Sequence, residues 1–153
     1  VYSWLVLSIG VSSQGRSAVA HKGVARGIDG ASRCWHHEVV VQSSIDPTIP
    51  PSGTGCAECL AVGGWWFHLR RCAACGNIGC CDSSPAQHAG AHAAAQGHPV
   101  ARSFEPGESW FWNYETNDYV DGPELVPPTH RPEGQPSPGP AGNVPADWMS
   151  KLH

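Results

Sequence analysis

CAECLAVGGWWFHLRRCAACGNIGCCDSSPAQHAGAHAAAQGH, residues 56–98, is the stretch that decides the fold. It opens on Cys56-x-x-Cys59 and repeats the spacing at Cys72-x-x-Cys75. A C-x-x-C turn brings two sulfurs onto one tetrahedral ion. One such pair arises readily by chance. Two pairs, followed by Cys80-Cys81, His88, His92 and His98, form a strong metal signal. The expected ligands are Cys56, Cys59, Cys72, Cys75, Cys80, His88, His92 and His98. Eight ligands suit two closed tetrahedral Zn²⁺ sites, and closed sites are structural because no position stays open for a substrate. Spacing leaves the pairing open. His88 and His92 lie one helical turn apart and could share an ion, or the ligands could interleave between two ions. The residue after His88 is Ala89, so the general base of an H-E-x-x-H metalloprotease is missing.

Working outward, Trp65 to Arg70 and Asn77 to Cys80 read as short strands. Ser84, Pro85 and Gln87 then carry the pattern of a helix start with a capping box, the alanine-rich run to Gln96 favours helix, and Gly97 stops it. Pro99 to Phe104 and Ser109 to Glu115 read as two more strands, joined by the turn residues Glu105-Pro-Gly-Glu108. Residues 1–33 lack periodicity and are expected to form a disordered N-terminal extension. Residues 122–145 contain eight Pro and read as an extended, linker-like tail within a Pro/Gly-rich segment 122–153.

Composition agrees. Gly (18) and Pro (14) exceed a fifth of the 153 residues, and only 14% are charged. So small and loop-rich a folded part is expected to need a staple beyond apolar burial. A net charge of −4 gives no basic footprint, so nucleic acid is not an expected partner. No stretch is long enough to span a bilayer, so no membrane association is expected. The apolar run at 4–11 has no preceding Lys or Arg and is short for a signal sequence. Seven Cys with two C-x-x-C pairs read as metal ligands in a reducing compartment, which makes the cytoplasm the expected location.

Cys56-x-x-Cys59, Trp66, Cys72-x-x-Cys75, Gly79-Cys80, His88, His92 and Gly97-His98-Pro99 together resemble the UBP-type zinc finger of ubiquitin-specific proteases and related deacetylases. Gly79 to Pro85 and Arg102 to Glu108 resemble its small stand-alone bacterial members. The resemblance covers residues 34–121. It implies an α+β fold, a small zinc-stabilised twisted antiparallel sheet packed on one helix, with flexible extensions at both ends. It also implies the interleaved pairing: Cys56, Cys59, Cys80 and His88 on one ion, Cys72, Cys75, His92 and His98 on the other. The Gly-Cys step favours Cys80 over Cys81. Cys34-x-His36 matches half of a third site, whose other half meets Asn113 where Cys is needed.

The family reads a free peptide C-terminus in an aromatic cleft. By resemblance Trp66 would form one wall, and Trp110, Trp112 and Tyr114 the other, with Tyr119 nearby. The Arg that usually pairs with the carboxylate is replaced by Asp82, which would repel it. Arg70 and Arg71 are the nearest substitutes. The expectation is therefore a non-catalytic zinc-binding module that takes a peptide or protein C-terminus, with the missing Arg arguing against ubiquitin. Two rivals are a structural or zinc-buffering protein and a thiol redox protein using Cys72-Ala-Ala-Cys75. An echo of the zinc deaminases at His36-His37-Glu38 fails because Gly55 stands where that pattern needs Pro.

Overall fold

The structure, a computed structural model, describes residues 44–153. The readings made for residues 4–11, Cys34, His36 and His37 lie outside the described residues. Five short strands carry the fold: β1 (Leu69–Cys72), β2 (Ile78–Cys80), β3 (Val100–Ser103), β4 (Phe111–Asn113) and β5 (Asp118–Val120). All neighbours are antiparallel, in the order β2-β1-β3-β4-β5. A short helix α1 (Ala57–Ala61) precedes the sheet, and helix α2 (His88–Gln96) connects β2 to β3. With one sheet and one principal helix, the fold is small α+β.

The β1–β2 hairpin turns through Cys75 and Gly76. Gly76 has φ of 74°, and a Cβ there would stand 2.1 Å from the Pro50 carbonyl oxygen, so only glycine fits. Register then sorts side chains by face. Leu69 lies opposite Cys80, Arg71 opposite Ile78 and Arg102, and Phe111 opposite Arg102. Arg70 lies opposite Gly79 and Ser103, Ala101 opposite Cys72 and Trp112, and Trp112 opposite Tyr119. Successive residues alternate, so these two sets occupy opposite faces of the sheet.

Helix α2 covers the Arg70–Trp112 face at the β2 end. The approach is close: a Cβ on Gly79 would lie 2.7 Å from the Ala89 nitrogen. Ala89 and Ala93 form the buried stripe of the helix. Gly97 ends it with φ of 65°, and the His98 amide donates back to the Ala93 carbonyl at 3.2 Å. The helix starts later than the capping-box pattern predicts. Ser84 does not cap it, because its hydroxyl accepts from the Phe67 amide at 2.9 Å and lies 3.3 Å from Cys81 Sγ. Gln87 turns away and donates to the Asp82 carbonyl at 2.7 Å. The residue before the helix is Gln87 itself, in a left-handed conformation with no side-chain cap.

The opposite face carries the core. One cluster gathers Trp66, Leu69, Ile78 and Phe104 with Cys56, Cys59 and Cys80. Another gathers Ile45, Ala73, Val100, Phe111 and Leu125. Two buried arginines share this face and bond to backbone carbonyls instead of acids. Arg71 Nη1 donates to Val126 and Pro128 at 2.9 and 3.1 Å, and Nη2 donates to Ile49. Arg102 Nη1 donates to Thr129. These bonds tie the irregular segments before and after the sheet to its centre.

That corrects the reading of residues 122–145 as a loose tail. Leu125 enters the core. Arg131 pairs with buried Glu105 at 2.8 Å, and the other oxygen of Glu105 accepts from the Leu69 amide at 2.8 Å. Gly139 forms an antiparallel bridge with Trp66, and the Trp148 ring rests 5.4 Å from Phe67 beside a 3₁₀ turn at Trp148–Lys151. Proline richness marks an irregular path here, and the path is anchored.

Candidate metal centre and aromatic face

Two groups of four side chains converge in this fold. Cys56, Cys59, Cys80 and His88 form one, and Cys72, Cys75, His92 and His98 the other. Within each group the potential ligand atoms lie within 4.8 Å of one another. Secondary structure explains the convergence. Cys56 stands just before α1 and Cys59 within it, Cys80 ends β2, and His88 begins α2, so three elements meet at the sheet edge. Cys72 and Cys75 hold the hairpin turn, while His92 lies one turn along α2 and His98 just past its end.

Distances suit zinc. In the first group His88 Nδ1 stands 3.2, 3.3 and 3.5 Å from the sulfurs of Cys56, Cys59 and Cys80. In the second, Cys75 Sγ is 3.3 Å from His92 Nε2 and Cys72 Sγ is 3.7 Å from His98 Nδ1. A tetrahedral ion bound at ordinary Zn–S and Zn–N lengths sets S···N at about 3.5 Å. The first site is almost wholly buried, whereas three of the four ligands in the second are half-exposed. The six cysteines among the described residues form no disulfides.

Protonation follows from the crowding. Hydrogen bonds from Cys56 and Cys59, with help from the His88 amide, hold the Cys80 thiol down to about 4 against its burial. Cys59 is pushed up by bonding to Cys56 and Cys80 and by desolvation. Burial raises Cys72 to about 11. Crowded thiols cannot all ionise unaided, and a divalent cation at the centre removes that conflict. Cys81 belongs to neither group. Its sulfur lies against Ser84 Oγ, and although burial opposes ionisation, bonds from His68 and Ser84 and the charge of Arg70 bring it to about 7.

The residues expected to line one aromatic cleft are not all brought together. Trp66 is only 2% exposed and packs with Leu69 and Ile78, on the face opposite Arg70 and Trp112. It is therefore no open cleft wall, and that expectation is corrected. Glycine at 139 lets the C-terminal segment lie directly on the indole, where a Cβ would come within 3.2 Å of Trp66 Nε1. The other aromatics do assemble. Arg70's guanidinium lies 4.5 Å from the centre of the Trp110 ring. Tyr119, 64% exposed, meets both Trp110 and Trp112 edge-on, at 5.6 and 5.1 Å. Tyr114 lies apart from this ladder. Its hydroxyl bonds to Asp82, and burial together with that carboxylate raises its pKa well above the ordinary tyrosine range. It also borders a groove of about 830 Å³ along α2, lined by Gly90, Ala93, Ala94 and Gly97. The Asp82–Tyr114 bond has no signature in the sequence, because it depends on Gly90 leaving room for the carboxylate.

Two Cys/His centres in a small sheet-and-helix frame define a zinc-finger module. Residues 56–125 match the family described as the zinc finger in ubiquitin-hydrolases and other proteins. The chain belongs to that family. It is similar to protein RPA1320 from Rhodopseudomonas palustris, solved in solution by NMR. The two share 42% identity over 60% of this chain and 85% of that one, with a TM-score of 0.47. No curated protein matches.

Proposed function

We propose that this chain is a non-catalytic, zinc-stabilised module that binds an extended peptide on the ladder formed by Arg70, Trp110, Tyr119 and Trp112. Each zinc would be held by one of the two four-residue groups, so that no metal position is left for a substrate. The observation that carries the binding reading is the placement of Arg70. Its charge is stacked on Trp110, beside the half-buried Trp112 and the exposed Tyr119. Arg71 cannot share the task, being buried and bonded to three backbone carbonyls.

A stacked guanidinium recognises a carboxylate in a plane. Arg70 would therefore take a terminal or side-chain carboxylate while the rings hold the neighbouring residues. Exposed Asp82 remains a reason to expect a partner other than the ubiquitin C-terminus. The free thiols suit a reducing compartment, and the cytoplasm is the proposed location. No helix among the described residues is long and apolar enough to cross a membrane.

An array of peptides with free C-terminal carboxylates tests the reading. The expected outcome is a set of binders whose affinity falls at least tenfold with Arg70→Ala and Trp110→Ala, both variants retaining their zinc. Binding indifferent to both substitutions, or no binder at all, would contradict it.

A further inference from the structure

Residue 66 meets the C-terminal segment in a way that packing alone does not require. The Trp66 amide donates to the Gly139 carbonyl at 2.7 Å, and the Gly139 amide donates to the Trp66 carbonyl at 2.9 Å. This is a one-residue antiparallel pair, the hydrogen bonding of strand addition without a strand. Two side-chain bonds flank it: Ser137 Oγ to the Phe67 carbonyl and Asn143 Nδ2 to the Gly64 carbonyl at 2.9 Å.

The strap itself buries almost nothing. Between Arg131 and the 3₁₀ turn, Gly139 alone is buried, and it has no side chain. The segment is held by these four hydrogen bonds and by no buried apolar side chain of its own, so it opens at lower cost than the sheet it lies on. What it covers is different in kind. Trp66 is 2% exposed, and its Nε1 is buried with no hydrogen-bond partner. That donor lies 3.2 Å from where a Cβ on residue 139 would stand, so it sits at the strap and receives no acceptor from it. A buried N–H without a partner carries a penalty that a better-placed oxygen would remove.

We propose that the backbone edge at Gly64–Phe67 is a second peptide-binding site, occupied in this structure by the chain's own residues 137–143. Its ligand is an extended peptide of a partner protein, with glycine opposite Trp66 and an oxygen acceptor that reaches Trp66 Nε1. Glycine is demanded in a peptide that follows the strap's path, because a Cβ at that position would stand 2.5 Å from the Pro136 carbonyl oxygen as well as 3.2 Å from Trp66 Nε1. The incoming peptide displaces the strap and replaces its two backbone bonds, and the indole gains the acceptor that the strap withholds. The site lies on the sheet face opposite the Arg70 ladder, so the two are occupied independently.

The test uses the full chain and a labelled peptide with the sequence of residues 135–143, followed by fluorescence anisotropy. In the Gly139→Val chain the strap cannot close on Trp66. That variant is expected to bind the peptide at least tenfold more tightly than the unmodified chain, whose own strap competes. A peptide carrying valine in place of its glycine is expected not to bind either chain. Equal binding by both chains, or none by a Gly139→Val chain that retains its zinc, overturns the proposal. If that variant does not retain zinc, the Ser137→Ala/Asn143→Ala chain is measured instead, since it removes only the flanking bonds. It is expected to bind at least threefold more tightly than the unmodified chain, and no gain overturns the proposal.

Discussion

Cys80 and Cys81 are chain neighbours with opposite surroundings. The Cys80 sulfur faces Cys56, Cys59 and His88, and also accepts from the His88 amide at 3.2 Å. The Cys81 sulfur turns to Ser84, on the other side of the strand end. Alternation along β2 accounts for this: consecutive side chains leave opposite faces, so only one of two adjacent cysteines can point to a given ion. Cys80→Ser is therefore expected to drop the zinc content to one ion per chain. Cys81→Ser is expected to keep both ions and to cost about 1–3 kcal/mol, because it buries a hydroxyl where a thiol packed. Native mass spectrometry and thermal melts check both variants, and the reverse pattern would reassign the ligand. The same scale explains why Trp66 misleads in the sequence. A tryptophan between two C-x-x-C pairs reads equally as a cleft wall or as core. Only the folded packing, which puts it with Leu69 and Ile78, decides for core.

At the scale of elements, the tightest joint is that of β2 with α2. Gly79 lies against the backbone of His88 and Ala89, and these two elements deliver Cys80 and His88 to one site. Gly79→Ala is expected to push helix and strand apart and to cost about 1–3 kcal/mol, as overpacking does. Gly53→Ala is the control. A Cβ there meets nothing within 4 Å, so the change is expected to stay within about 0.5 kcal/mol. Urea unfolding of the zinc-loaded proteins compares them, and equal stabilities would contradict the close-approach argument. Four strands and the main helix are legible in the sequence because their residues carry strand or helix preference between clear Gly and Cys breaks. The helix start is not, because Ser84 fits a capping box yet bonds to Phe67 and Cys81, partners brought near only by the fold. α1 and β5 are too short to carry a period of their own. The anchoring of the tail was hidden by its prolines. Leu125, Arg131 and Trp148, the large side chains that pin it, are the signal that could have revealed it.

For the whole molecule, the two apolar clusters are small, and one of them consists partly of cysteine ligands. Buried Arg71, Arg102 and Arg131 hold irregular backbone in place, but they add specificity of path more than burial of apolar surface. The metals must then supply much of the folding free energy, since structural zinc in small fingers contributes on the order of 10 kcal/mol. Both centres lie around β1, β2 and α2, while the rings of the peptide ladder lie on and beside β4 and β5, with Arg70 reaching them from β1. The central claim is that two structural zinc ions hold this fold, one in each Cys/His group. Native mass spectrometry of protein purified without chelator, repeated after exhaustive chelation with circular dichroism alongside, tests it most directly. The account predicts two zinc ions per chain and loss of the sheet and helix signal when they are removed. Fewer than two ions in protein that is fully folded, or a fold that survives chelation unchanged, would contradict it.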